Sequence, residues 1–159
     1  MKSVMLKSLI VASAITLSGS LFARDDRNMY PLSDALNTPA AKEKLDPNIA
    51  LYFGKQKHPA IKESLGEWKT NKKTNAFNKT DKEACEWVFL SAVLELQERA
   101  AKEGGNAVVE IKSNYKNSER SSETEYMCGN GAVMSGVAPS GPATGVANSR
   151  RIVACGRAA

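Results

Sequence analysis

The chain has 159 residues, with 22 Lys and Arg against 17 Asp and Glu, a net charge of +5 and 42% apolar residues. That length suits one domain with one modest core, and so mild a positive charge does not imply nucleic acid as a partner. Three cysteines allow one disulfide and leave one thiol over.

Lys2 and Lys7 precede an apolar run from Ser8 to Phe22, and Leu21-Phe22-Ala23 offers a small residue at a cleavage position. This is the pattern of a secretory signal peptide over 1–23, with cleavage before Arg24. The run is shorter than the roughly 20 residues a spanning helix needs, so no membrane span is expected after cleavage. The expected location is periplasmic or secreted. Without Lys2 and Lys7 the chain carries 20 basic and 17 acidic residues, a net of +3.

Arg24-Asp25-Asp26-Arg27 reads as an exposed, charged start without a fold of its own. A helical turn is predicted over 31–36. A second short helix follows, with Thr38 as N-cap and Pro39 at its first position, stopped by Asp46-Pro47. Ile49 to Phe53 reads as a strand ending at Gly54, and Ser64 to Thr70 as another with Leu65 and Trp68 in the core. The segment 71–79 reads as a polar loop around a buried Phe77. Its lysines, with Lys69, give the alternative of an anion contact through Lys69, Lys72, Lys73 and Lys79, with stacking on Phe77.

A long helix over 80–103 organises the chain. Thr80 and Glu83 form a capping box, and the helix would run roughly 33 Å. Cys85, Val88, Phe89, Ala92, Val93, Leu96 and Ala100 share one stripe; Trp87, Leu90, Leu94 and Ala101 form a second. Such a helix needs cover on both sides, from a sheet and, for the second stripe, from the 49–53 segment. Gly104-Gly105 stops it. Alternation over 106–112 predicts a strand with Ala107, Val109 and Ile111 on one face and Val108, Glu110 and Lys112 on the other. A long polar connection over 113–122 leads to a strand over 123–137, bulged at Gly129 and Gly131 and paired antiparallel with 106–112. Residues 138–159, rich in Gly, Ala, Ser and Pro, read as a disordered tail with Ile152-Val153-Ala154 the one ordered candidate. The expected fold is thus α+β, a single domain over 24–137 with one long helix on a small, mostly antiparallel sheet.

No phosphate-binding glycine loop, metal-ligand cluster or Cys-x-x-Cys pair occurs in the sequence, and neither metal nor cofactor is expected. His58 stands alone in a loop. A periplasmic enzyme would have to draw on Asp25, Asp26, His58, Asn114 or Tyr115, which share no useful spacing, so a non-enzymatic chain is expected. An oxidising compartment favours a Cys85–Cys128 bond, which would close about 43 residues and contribute roughly 4 kcal/mol on the chain-entropy view. Cys128 reaches Cys85 only if 113–127 extends or loops at that end. Cys155 would be free or joined to another molecule.

Cys85 ahead of the apolar helix, Gly105-Asn106-Ala107-Val108-Val109 after it, and Cys128 leading into 132–137 resemble the domain of RcsF, an outer-membrane stress-sensing lipoprotein, and more loosely the YbjQ-like fold. The resemblance covers 80–137. It implies the same Cys85–Cys128 pairing and a binding or envelope-sensing role with an envelope protein or other periplasmic component as partner. This chain lacks the lipid-attachment cysteine and the second disulfide of that family. The stretches at 23–27, 53–59, 70–77, 83–109 and 121–138 are similar to small exported bacterial proteins of unknown function, often labelled "excinuclease ATPase subunit". The missing phosphate loop and the export leader both contradict that label.

Overall fold

The computed structural model describes residues 24–146. The expected signal peptide, Ile152-Val153-Ala154 and Cys155 lie outside the described residues. The elements run in order β1 (Asp25–Pro31), α1 (Leu32–Leu36), α2 (Pro39–Lys44), β2 (Ala50–Phe53), β3 (Ile61–Lys69), β4 (Lys72–Asn75), α3 (Asp81–Lys102), β5 (Ala107–Tyr115), β6 (Ser118–Arg120), β7 (Glu125–Gly131), β8 (Met134–Val137) and β9 (Pro139–Val146). The fold is α+β, with α3 packed against one antiparallel sheet and one mixed sheet whose only parallel pairing, among the described residues, is β2 with β5.

Helix α3 begins as its sequence dictates. The Thr80 side chain accepts from the Glu83 amide, and the Glu83 carboxylate accepts from the Thr80 amide. That reciprocal bonding satisfies two donors the first turn would leave orphaned. Gly104 and Gly105 end the helix, their amides donating to Ala101 and Ala100 carbonyls. The first predicted stripe is buried throughout and forms the centre of the main core. Phe89 stacks on Tyr126 at 4.0 Å between ring centroids.

The second stripe is covered only in part, and not by the expected segment. Leu90 is buried and Leu94 half-buried, whereas Trp87 is 50% exposed and Ala101 is at the surface. Leu32 and Ala35 of α1 and Ala41 of α2 lie over the back of the helix. The 49–53 segment instead enters a sheet, β2 pairing in parallel with β5. Gln97 ties this region to α3: its carbonyl accepts from the Asp46 amide, and its amide donates to the Asp46 and Ile49 carbonyls.

One sheet has the order β1-β7-β8-β4 and the other β2-β5-β9-β3, with β6 hairpinned onto β5. Their strands run on into one another: Ala138 alone separates β8 from β9, and Thr70-Asn71 separate β3 from β4. The Thr70 amide donates to the Pro139 carbonyl at 3.0 Å, which holds the bend.

Several expectations are corrected. The charged start at 24–27 is not without structure; Asp25–Pro31 pairs antiparallel with β7. The polar connection at 113–122 is largely a hairpin, turning at Lys116 and Asn117, both at positive φ. That is the tight-turn geometry whose twist matches the flanking strands. The strand containing 125–131 pairs with β1 and β8, and β5 pairs with β2, β6 and β9. The simple alternation over 106–112 fails at Glu110, which has φ +49°. Between Val108 and Ile111 the β5 strand carries one residue more than β2 opposite it. This bulge turns Val108 and Ile111 together toward the helix, while Ala107 and Val109 pack on the far side with Tyr52 and Val146.

The largest correction concerns the tail boundary at 138. Pro139–Val146 is an inner strand, paired with β5 on one side and β3 on the other. Small residues are needed there for packing. A Cβ on Gly141 would come within 2.8 Å of the Val109 carbonyl oxygen, so its composition reflects close approach of backbones.

Candidate functional site

Cys85 and Cys128 are disulfide-bonded, with Cα atoms 6.0 Å apart and both residues fully buried. The bond joins the first turns of α3 to the middle of β7. β7 is brought there because it pairs beside β1, after a loop over 121–124 rather than directly behind β5. Asn130, also fully buried, donates to Cys85 Sγ at 3.0 Å and to Ser135 Oγ at 3.1 Å. Its carbonyl accepts from Asn28 and from the Tyr30 hydroxyl. All the polar capacity of Asn130 is used, so this centre is a structural knot.

The candidate catalytic groups do not converge. Asp25 pairs with Lys116 at 2.7 Å, which holds its carboxyl below the usual range, and Asp26 pairs with Arg24 at 2.7 Å. His58 is half-buried, its Nδ1 2.9 Å from the Pro59 carbonyl and its ring packed against Tyr52. Tyr115 lies flat over Gly129 and Gly136. Among the described residues no group of three or more His, Cys, Asp or Glu could hold a metal ion.

The four candidate anion-binding lysines are dispersed. Segment 71–79 is not wholly a loop, since Lys72–Asn75 pairs with β8, and strand alternation sends successive lysines to opposite faces. Lys72 turns to α3 and pairs with Glu95 at 3.0 Å, which lowers the Glu95 pKa. Lys73 lies on the outer face beside Gly136. Lys79 donates to the Asn75 carbonyl at 3.1 Å. Lys69 lines an open groove of about 210 Å³ at the bend between the sheets, with Thr70, Asn71, Asn114, Asn117 and Ala138.

A second surface feature was not anticipated. Phe77, expected in the core, is 65% exposed, and beside it Val133 and Met134 are 57% and 45% exposed. The Ala76 amide donates to the Val133 carbonyl and Asn75 sits opposite Met134, so the turns after β4 and between β7 and β8 form one apolar tip. The sequence signal was the apolar run Ala132-Val133-Met134 directly after Gly-Asn-Gly, where a hairpin turn exposes whatever it carries. Groove residues Asn71 and Asn117 were also missed, because only the bend brings them together.

The chain matches no protein-family model, and neither a curated protein nor a solved structure is significantly similar to it. Among the described residues, no helix is long and apolar enough to cross a membrane.

Proposed function

We propose that this chain is an exported, non-enzymatic binding or envelope-sensing domain, built on an RcsF/YbjQ-like plan and working in the periplasm or outside the cell. The observation that carries the proposal is the fully buried Cys85–Cys128 disulfide at the junction of α3 and β7. Such bonds persist in oxidising compartments and are rare in the reducing cytosol. The RcsF/YbjQ part is supported by the same pairing and by β5 following α3 directly at Asn106-Ala107-Val108-Val109. The partner is an envelope protein or another periplasmic component, met at the polar groove around Asn71, Asn114 and Asn117.

The test is fractionation of cells expressing the full chain, with thiol alkylation before and after reduction. The expected result is a periplasmic or secreted protein beginning at Arg24, with Cys85 and Cys128 resistant to alkylation until reduced. A cytosolic protein with both thiols reactive would overturn the reading.

A further inference from the structure

We propose that the tip formed by Phe77, Val133 and Met134, flanked by Lys73 and Lys79, docks the domain peripherally on an anionic lipid bilayer. The inference deepens the envelope reading above and rests on it for its setting. The three apolar side chains stand on two adjacent turns and are the most exposed cluster of large apolar residues described. Apolar groups on a protruding turn enter the headgroup region at little cost in backbone desolvation, because the turn itself stays at the surface.

Charge around the tip favours a negative surface. Lys73 and Met134 are diagonal neighbours across the β4–β8 ladder, and the Lys79 ammonium reaches back to the Asn75 carbonyl within the same turn. Neither lysine is paired with a carboxylate among the described residues. Of the nearby acids, Asp25 is paired with Lys116, Asp26 and Asp81 share Arg24, and the Glu83 carboxylate, which feels the charge of Lys79, is held by the Thr80 amide and hydroxyl.

The position of the tip in the chain supports the same occupant. Asp25 pairs with Gly131 at the tip's base, and the Arg24 carbonyl is 3.5 Å from where a Gly131 Cβ would lie. Only Ala23 separates Arg24 from the apolar run ending at Phe22. On the export reading proposed above, Arg24 is the first residue beyond the leader, so the tip forms beside the point at which the chain leaves the bilayer. Self-association fits less well, since three side chains fall short of the roughly 1,000 Å² a stable interface needs.

The experiment is co-sedimentation of the purified protein with its Cys85–Cys128 bond formed, from whichever fraction it is recovered, with vesicles of phosphatidylglycerol and phosphatidylcholine, or of phosphatidylcholine alone. Binding is expected to the anionic vesicles and to fall roughly 25-fold in K73A/K79A, about fivefold per lysine. F77S/M134S is expected to lose binding at least about tenfold while keeping its disulfide and melting temperature. F77W is expected to shift its emission to the blue on binding and to be quenched by brominated lipid. Equal partition of F77S/M134S and the parent, or no partition into anionic vesicles, would overturn the proposal. So would a concentration-dependent dimer abolished by F77S/M134S without any vesicle binding. The vesicle assay is independent of fractionation, so failure of docking and failure of the export reading are separable.

Discussion

The ring of Tyr115 occupies the space that a Cβ on Gly129 would need. Gly129 is in the middle of β7, and Tyr115 ends β5, so the two residues bring the second sheet's hairpin flat against the outer face of the first. A glycine that looked like a turn or bulge in the sequence is a seat for an aromatic ring.

Replacing Gly129 with Ala forces Tyr115 off its seat. The expected cost is about 1–3 kcal/mol, as for other overpacked sites. Urea midpoints of G129A, Y115A and the double variant measure it. Recovery of part of the loss in the double variant identifies the clash, and simple additivity would reject it.

Reduction of Cys85–Cys128 is expected to cost about 2–5 kcal/mol, given a sequence separation of 43 between the cysteines. Melting with and without a reductant provides the measurement. The loss should appear to a similar extent in C85S/C128S, since both remove the cross-link while a thiol sulfur or a serine oxygen at position 85 can still accept from Asn130.

Gln97 makes three hydrogen bonds to the loop between α2 and β2. In Q97A the Asp46 amide and the Asp46 and Ile49 carbonyls lose that partner, at an expected cost of about 1–3 kcal/mol. Hydrogen exchange should quicken over 46–51 while α3 keeps its protection. Unchanged exchange in that loop would argue against the tether.

Burial, followed by the nearby Glu86, pushes the Tyr126 phenol well above its ordinary pKa. The folded pKa is raised, so this contribution to stability is complete below the unfolded value of about 10 and declines as pH rises beyond it. The Tyr126 hydroxyl also has no hydrogen-bond partner among the described residues. Y126F should therefore be neutral or stabilising by about 1 kcal/mol at pH 7, with a shallower loss above pH 10. Denaturation profiles of both proteins between pH 7 and 11 test this; a marked loss at pH 7 would reveal a missed partner.

Much of the local structure was legible. The capping box at Thr80 and Glu83, the start of α2 at Thr38-Pro39 and the stripe through Phe89 follow from short-range rules that neighbours in sequence satisfy. The bulge at Glu110 was not legible, because one extra residue in β5 matters only against β2 and β9. Phe77 was assigned to the core on side-chain type alone, and type does not reveal whether a turn points inward.

The sequence by itself determined the long helix, its limits and the cysteine near its first turn, since backbone donors and apolar spacing at i, i+3 and i+4 act locally. Tertiary structure decided which strands pair, that 139–146 is an inner strand, and which lysines and apolar residues share a surface. Those outcomes depend on contacts between residues far apart in the chain: Tyr115 on Gly129, Val109 against Gly141, Ala76 bonded to Val133. Composition read as disorder because glycine and alanine bury little area of their own. In the fold, that same smallness lets two strands lie close enough to share a core.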